Sequence, residues 1–441
     1  MKKFILTLAI LIVTALPVFG EDDVINKFEN GEEVNFMDLY NAINENSIAL
    51  YSDSSDVTSP EFYDQLTGAE KDMYDLLNTN IESTLTGTSA LKYTYETTIS
   101  KNIDLSTSEG NSQYWSEITT AFENQYGMSI ANAVVRADFA LLYLDKPQYF
   151  WININKLGVG MSGGYDKNSG KAKAYITIAK PYYDENNKDK SYDNYYPDCY
   201  TDEQTVRDEY SQMMILANEI VDAVPTNATD WYKLNYYMNW LRDNCDYNAY
   251  LSSNKNSTYA YLPTSAFLHG KDGVNAPVCE GYAEALKILC DLSNIDSMCA
   301  EAIYQENSSW TGHKFNLVKL NDKYYYCDPT WFDNYNNFES YRFLLTGSVN
   351  MAKYDTSKNH TIAFQCNFNA PEISNTDYLN DFGINGYSLL NIDGNDTINV
   401  NDTTKLLRII SGIDSCNGKN VDNKNGININ DVIIMQKLMF K

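Results

Sequence analysis

The stretch GHKFNLVKLNDKYYYCDPTW, residues 312–331, reads as two strands around Asn321-Asp322, the kind of polar dipeptide that closes a two-residue hairpin. Pairing across that turn sets Phe315 opposite Asp328 and His313 opposite Thr330. The two-residue period of a strand sends His313 and Phe315 to one face, so Asp328 becomes a diagonal neighbour of His313 there. Diagonal neighbours lie about 7–8 Å apart, within reach of side chains that lean together. One hairpin thus offers an imidazole and a carboxylate to orient it. A slip of one residue would separate them.

Upstream, APVCEGYAEALKILC (276–290) is helix-patterned, with Asn275 to Pro277 as its start and Cys279 in the first turn. A helix N-terminus favours an anion, which suits a cysteine that reacts as its thiolate. Tyr282, Ala283, Leu286, Leu289 and Cys290 continue one inward face. From this stretch alone two readings stand: a nucleophile, or a small residue in a core. His269 and His360 are rival bases without a strand-borne carboxylate, and both read as structural.

The order Cys279, His313, Asp328, carried in CEGYA, HKFN and YYYCDPTW, resembles the transglutaminase-like (papain-like) superfamily over about 235–345. The upstream DKPQYFW is similar to a prelude in bacterial members, which would make about 59–366 one unit. The resemblance implies an α+β core with the cysteine on a helix N-terminus and the histidine and aspartate on antiparallel strands. It also implies cofactor-free acyl transfer by the catalytic residues Cys279, His313 and Asp328. Phe315 stands where the family often has Trp. Water as the second acceptor gives a peptidase or amidase on protein or peptide substrates; an amine gives a protein-crosslinking transglutaminase. A catalytically silent binding module, or an accessory protein in polysaccharide degradation, is the reading from another class. The intact triad favours an enzyme, and no acidic pair has a setting that singles out glycoside hydrolysis.

The tail carries an internal repeat. NIDGNDTINVNDTTKLLRII begins at 391 and NVDNKNGININDVIIMQKLM at 420. Calcium loops place oxygen ligands at alternate positions and a carboxylate at the twelfth. The first copy offers Asn391, Asp393, Asn395, the Thr397 carbonyl and Asp402; the second offers Asn420, Asp422, Gly426 and Asp431, with Lys424 at its fifth position. Ile398, at the eighth, is expected to tie the loop to its twin. The pair, with GY ahead of it, resembles a type I dockerin over 385–441. That implies a small all-α module of two EF-hand-like loop-helix units, structural calcium, and a cohesin module of a scaffoldin as partner in a bacterial cellulosome. Asn at both first positions departs from the usual Asp, and Lys424 opposes a cation.

Lys2 and Lys3 before FILTLAILIVTALPVFG read as a secretory signal peptide over 1–20, which implies an extracellular protein; a membrane anchor is the alternative. A polar segment (21–58) with a short helix expected at FMDLYNAI, an upstream α/β part (59–200), the core (201–366), a linker (367–384) and the tail module (385–441) follow. The net charge of −26 argues against nucleic acid and anionic membrane as partners. Eight cysteines are too sparse for a disulfide framework, and the 36 tyrosines read as strand residues with one wet end. Thr67 and Glu70 have capping-box spacing, and AVVRADFALLYLDKPQYFWINI reads as a helix broken at Pro147 and followed by a strand.

Overall fold

The computed structural model describes residues 21–44, 62–84, 91–179, 197–200, 202–248, 258–268, 276–306, 309–334, 338–355, 360–362, 366, 368–384, 389–392, 395, 397–411, 421 and 429–440. The signal-like segment 1–20 and the GY pair lie outside them. The described residues form two compact units. One runs to Arg207 and includes Cys366 and 368–370; the other takes Asp208 to Ile362 and Pro371 onward. The chain is α+β, with an antiparallel four-stranded sheet in each unit. Among the described residues no single helix is long and apolar enough to cross a membrane.

The first unit contains α1 (Glu21–Glu29), β1 (Val34–Asn35), α2 (Phe36–Asn44), α3 (Phe62–Gln65), α4 (Ala69–Thr84), β2 (Leu91–Thr98), α5 (Ser108–Tyr126), α6 (Ile130–Phe139), β3 (Gly158–Asp166) and β4 (Lys171–Ala179). Its sheet runs β1-β3-β4-β2. The polar segment from 21 forms the short helix expected at FMDLYNAI, α2, and a second one ahead of it, α1; together they bury Phe28, Phe36, Leu39 and Tyr40. The Glu70 carboxylate receives the Thr67 main-chain N–H at 2.7 Å and pairs with Arg136 of α6 at 2.6 Å. The stretch after Pro147 is not a strand. Tyr149, Phe150, Trp151 and Ile152 are buried in succession, which a half-exposed strand does not allow. Pro147, lacking an N–H, opens a 3₁₀ turn there, and β3 waits until Gly158.

The second unit contains α7 (Glu203–Asp222, from Asp208 onward), α8 (Asp230–Asn244), α9 (Thr264–Phe267), α10 (Cys279–Leu292), β5 (Ser297–Glu306), β6 (Ser309–Leu320), β7 (Lys323–Cys327), α11 (Pro329–Asp333), β8 (Leu344–Thr346), α12 (Ser348–Tyr354), α13 (Val400–Ile410) and α14 (Ile429–Met439). Its sheet runs β5-β6-β7-β8. Asn321 and Asp322 sit at φ 51° and 59°, as a two-residue type I′ hairpin requires. Leu320 pairs with Lys323 and, at the far end, Asn316 with Cys327. That is the expected register, but the ladder stops one residue before Asp328. Asp328 turns out of the strand to cap α11, and Thr330 lies in that helix, so the expected His313–Thr330 pairing does not form.

The expected linker is not a tether. Ile373 bridges to Tyr324 of β7, and Ser374 N–H donates to the Tyr324 carbonyl at 2.8 Å. Asp377 accepts Gly347 N–H at 2.9 Å and the Asn350 amide at 2.7 Å, fastening the start of α12. A bridge and a cap leave no periodic trace in sequence, so the segment reads as loop.

The tail repeat recurs in structure. Asp402 Oδ1 accepts Ile392 N–H at 2.6 Å, and Asp431 Oδ1 accepts Val421 N–H at 2.8 Å, each across ten residues. The tail also packs on α8: Thr229 N–H donates to the Met439 carbonyl at 2.8 Å, and Phe440 lies 5.7 Å from the Tyr232 ring. Ile398 is held through its main chain. Its N–H goes to Tyr341 Oη (3.1 Å) and its carbonyl accepts from Asn235 (2.8 Å), so the body holds it; Ile427 lies outside the described residues.

Candidate active site

Cys279 is the first residue of α10, one step later than the sequence suggests, with Val278 as a cap that offers no side-chain bond. The chain ahead of it is fixed. Asn248 donates to the carbonyls of Pro277 (3.0 Å) and Ala276 (3.2 Å), and Val278 N–H donates to Ala260 (2.9 Å). The first helical bond runs from Tyr282 N–H to Val278, so the Cys279 N–H lies outside the helical ladder.

The motif around the cysteine is made of ties. Gly281 allows a close approach: a Cβ there would sit 2.8 Å from Ser265 Oγ and 2.9 Å from both Ala260 O and Pro277 Cβ. Tyr282 Oη donates to Asp333 at 2.5 Å, joining α10 to α11. Asn316 of HKFN donates to the Ala283 carbonyl at 2.9 Å, joining β6 to α10. On the same face of β6, Lys314 meets Glu284 at 2.8 Å and Glu280 at 3.3 Å.

His313 and Asp328 come together. His313 Nε2 donates to Asp328 Oδ2 at 2.7 Å, both groups buried, while Oδ1 accepts Trp331 N–H at 3.0 Å. Burial works against a charged imidazole, but the charge and hydrogen bond of Asp328, with a contribution from Cys279, raise His313 to about 9. Burial likewise works against the carboxylate, and His313 with His360 overcomes it to hold Asp328 well below the usual carboxylate range. The other ring nitrogen of His313, Nδ1, is buried with no partner at hydrogen-bonding geometry. Cys279 lies close enough to the ring to add to that upward shift.

His360, expected as structural for want of a strand-borne carboxylate, has two carboxylate partners. Its Nε2 lies 2.7 Å from the same Asp328 Oδ2, and its Nδ1 lies 3.1 Å from Asp355 Oδ2. The His313, Asp328 and His360 ligand atoms all lie within 4.8 Å, a spacing a metal would accept, but both N···O separations are hydrogen-bond lengths and shared protons account for them. His269 lies outside the described residues. Cys279 is buried, and Tyr247 and Tyr261 pack against the small apolar cluster it forms with Ala260 and Val278.

Of the tail residues expected to ligate a cation, Asn391, Asn395, Thr397, Asp402 and Asp431 are described; Asp393, Asn420, Asp422 and Gly426 are not. The Asn391 amide donates to the Asn395 carbonyl, and Asn395 Oδ1 accepts Thr397 N–H at 2.8 Å. Asp402 and Asp431 are fully buried. No protein-family model matches the chain, and no curated protein matches it.

Proposed function

We propose that the chain is a secreted cysteine-dependent acyl-transfer enzyme of the transglutaminase-like superfamily, a peptidase or amidase acting on proteins or peptides. The observation that carries this reading is the single imidazole of His313, bonded through Nε2 to a buried carboxylate and left free at Nδ1 beside a cysteine that opens a helix.

The chemistry follows from those atoms. His313 Nδ1 takes the thiol proton as Cys279 Sγ bonds to the substrate carbonyl carbon. The Cys279 N–H, outside the helical ladder, serves the developing oxyanion. The C–N bond breaks, and the proton on Nδ1 passes to the leaving amine. A water then gives a proton to the same nitrogen, attacks the thioester and releases the acid and the thiol. Asp328 holds the ring in the tautomer this requires.

The tail is proposed as a type I dockerin bound by a cohesin module of a scaffoldin, which places the enzyme in a cellulosome outside the cell. Calcium would be held by Asn391, Asp393, Asn395, Thr397 and Asp402, and by Asn420, Asp422, Gly426 and Asp431, and would order the loops by its charge. The fit rests on an all-oxygen donor set with buried carboxylates at the two equivalent positions, Asp402 and Asp431. Val400 and Ile429, equivalent in the repeat and 45% and 53% exposed, support a docking face at the helix starts.

The test is incubation of the full chain with a mixed protein substrate, followed by mass spectrometry. Cleaved fragments support hydrolysis; isopeptide-joined products would identify a crosslinking transglutaminase instead. Cys279→Ala should remove at least about a thousandfold of either activity. Full turnover by the folded variant refutes the triad.

A further inference from the structure

Asp328 serves two histidines through one oxygen, with His313 Nε2 and His360 Nε2 both 2.7 Å from Oδ2. The far side of the His360 ring meets Asp355 at 3.1 Å, and the same Asp355 oxygen accepts the His360 main-chain N–H at 2.6 Å. An ionised carboxylate only accepts hydrogen bonds. Both ring nitrogens of His360 are therefore donors, which makes the ring an imidazolium between two buried carboxylates. The titratable groups that face it are His313 from β6, Tyr326 from β7, Asp328 at the start of α11 and Asp355 after α12. Phe315, Trp331 and Phe343 enclose the rest of the ring at 4.9, 5.0 and 6.2 Å.

We propose that His360, held by Asp355, is a positioning residue that fixes Asp328 Oδ2 and keeps it ionised, so that His313 keeps the proton on Nε2 and exchanges the one on Nδ1 with Cys279. The proposal rests on the acyl-transfer reading of this site. Its logic is one of tautomers. A buried carboxylate short of donors takes up a proton. Protonated Asp328 would donate to His313 Nε2, the ring proton would move to Nδ1, and Nδ1 could no longer accept from the thiol. His360 also carries charge of the same sign as protonated His313, so its donor role and its charge act separately and can be tested separately.

The readout is the alkylation rate of Cys279 by iodoacetamide in the full chain, measured against pH on the Cys279 peptide by mass spectrometry, so no substrate need be known. His360→Phe keeps the aromatic volume and removes the donor; it should slow alkylation about ten- to a hundredfold, the worth of a hydrogen bond to a charged group. His360→Gln sets an uncharged amide donor near Nε2; it should restore most of that rate and move the upper pH limit upward. A folded His360→Phe with the wild-type rate and pH profile overturns the proposal. Nitrogen-15 histidine NMR of the wild-type chain is independent of any variant. With three histidines to assign, His360 should be doubly protonated at pH 7, and a neutral ring overturns the proposal. Equal alkylation of wild type and His313→Ala would instead sink the acyl-transfer reading, and the role of His360 with it.

Discussion

Asp328 accepts from His313, His360 and the Trp331 main chain at once, so its charge is felt by two imidazoles. His313 is raised from 6.5 to about 9 against the pull of burial, chiefly by Asp328. A ring raised on folding adds stability that is full below about pH 6.5 and is lost as pH climbs through about 9. His360, raised as well, has the same sign. Asp328 is depressed, so its share is full above roughly pH 4 and is lost on acidification. Glu284 titrates in the same alkaline window, because burial, only partly offset by Lys314, pushes it up to about 8. Asp328→Asn should therefore flatten, but not abolish, the loss of stability between pH 6.5 and 9, as read by urea midpoints. A slope equal to wild type would contradict the ion pair. The same variant should keep a residual acyl-transfer rate, roughly a hundredfold to ten-thousandfold reduced, since nucleophile and base survive. The placement of Cys279, His313 and Asp328 is legible in the sequence because local rules set it: a helix start, a two-residue turn and strand alternation. His360 is not legible, since its carboxylates stand 5 and 32 residues away and only the fold brings the second to it.

At the scale of elements, the residues around the triad act as struts. Asn316 crosses from β6 to the Ala283 carbonyl, and Tyr282 crosses from α10 to Asp333, so the helix, strand and cap that carry the three groups are braced against one another. Asn316→Ala removes one strut without touching the chemistry. It should cost about 1–2 kcal/mol of stability and lower turnover by roughly tenfold through misplacement of Cys279 against His313. An unchanged rate with lowered stability would confine Asn316 to folding. Gly281→Ala drives a methyl group into Ser265, Ala260 and Pro277, and should cost about 1–3 kcal/mol, seen as a lowered unfolding midpoint. The hairpin is fully legible in its turn and register. So is α2, at FMDLYNAI, but the 371–384 segment and α1 are not. The first is a bridge and a cap, and the second is too short for a polar sequence to show its apolar face.

On the scale of the whole second unit, the repeat is not free of the body. Ile398, inside the first loop, has its N–H on Tyr341 and its carbonyl on Asn235, while Met439, at the end of α14, receives Thr229 N–H. Tyr341 in turn packs its ring 5.2 Å from Phe332 of α11, the helix that Asp328 caps. The repeat is legible in the sequence, but these docking bonds are not, because main-chain groups make them and side-chain patterns do not register them. On the calcium reading, a cation that orders the first loop also fixes Ile398, and so stabilises the β5–β8 sheet and its helices by mass action. A chelator should then lower the unfolding midpoint of the full chain in the transition that exposes Cys279, not only in one assigned to the tail. Asp402→Ala should lower it more than Asp431→Ala, since the loop it closes is the one the body grips at Ile398, and the twin loop carries Lys424 among its ligand positions. Asn235→Ala or Tyr341→Phe should uncouple the two, leaving calcium binding in place while its effect on the Cys279 transition shrinks. Differential scanning calorimetry with site-resolved cysteine labelling, with and without chelator, separates the outcomes. A chelator that leaves the Cys279 transition unmoved in the wild-type chain would show that the tail rests on the body without sharing its stability.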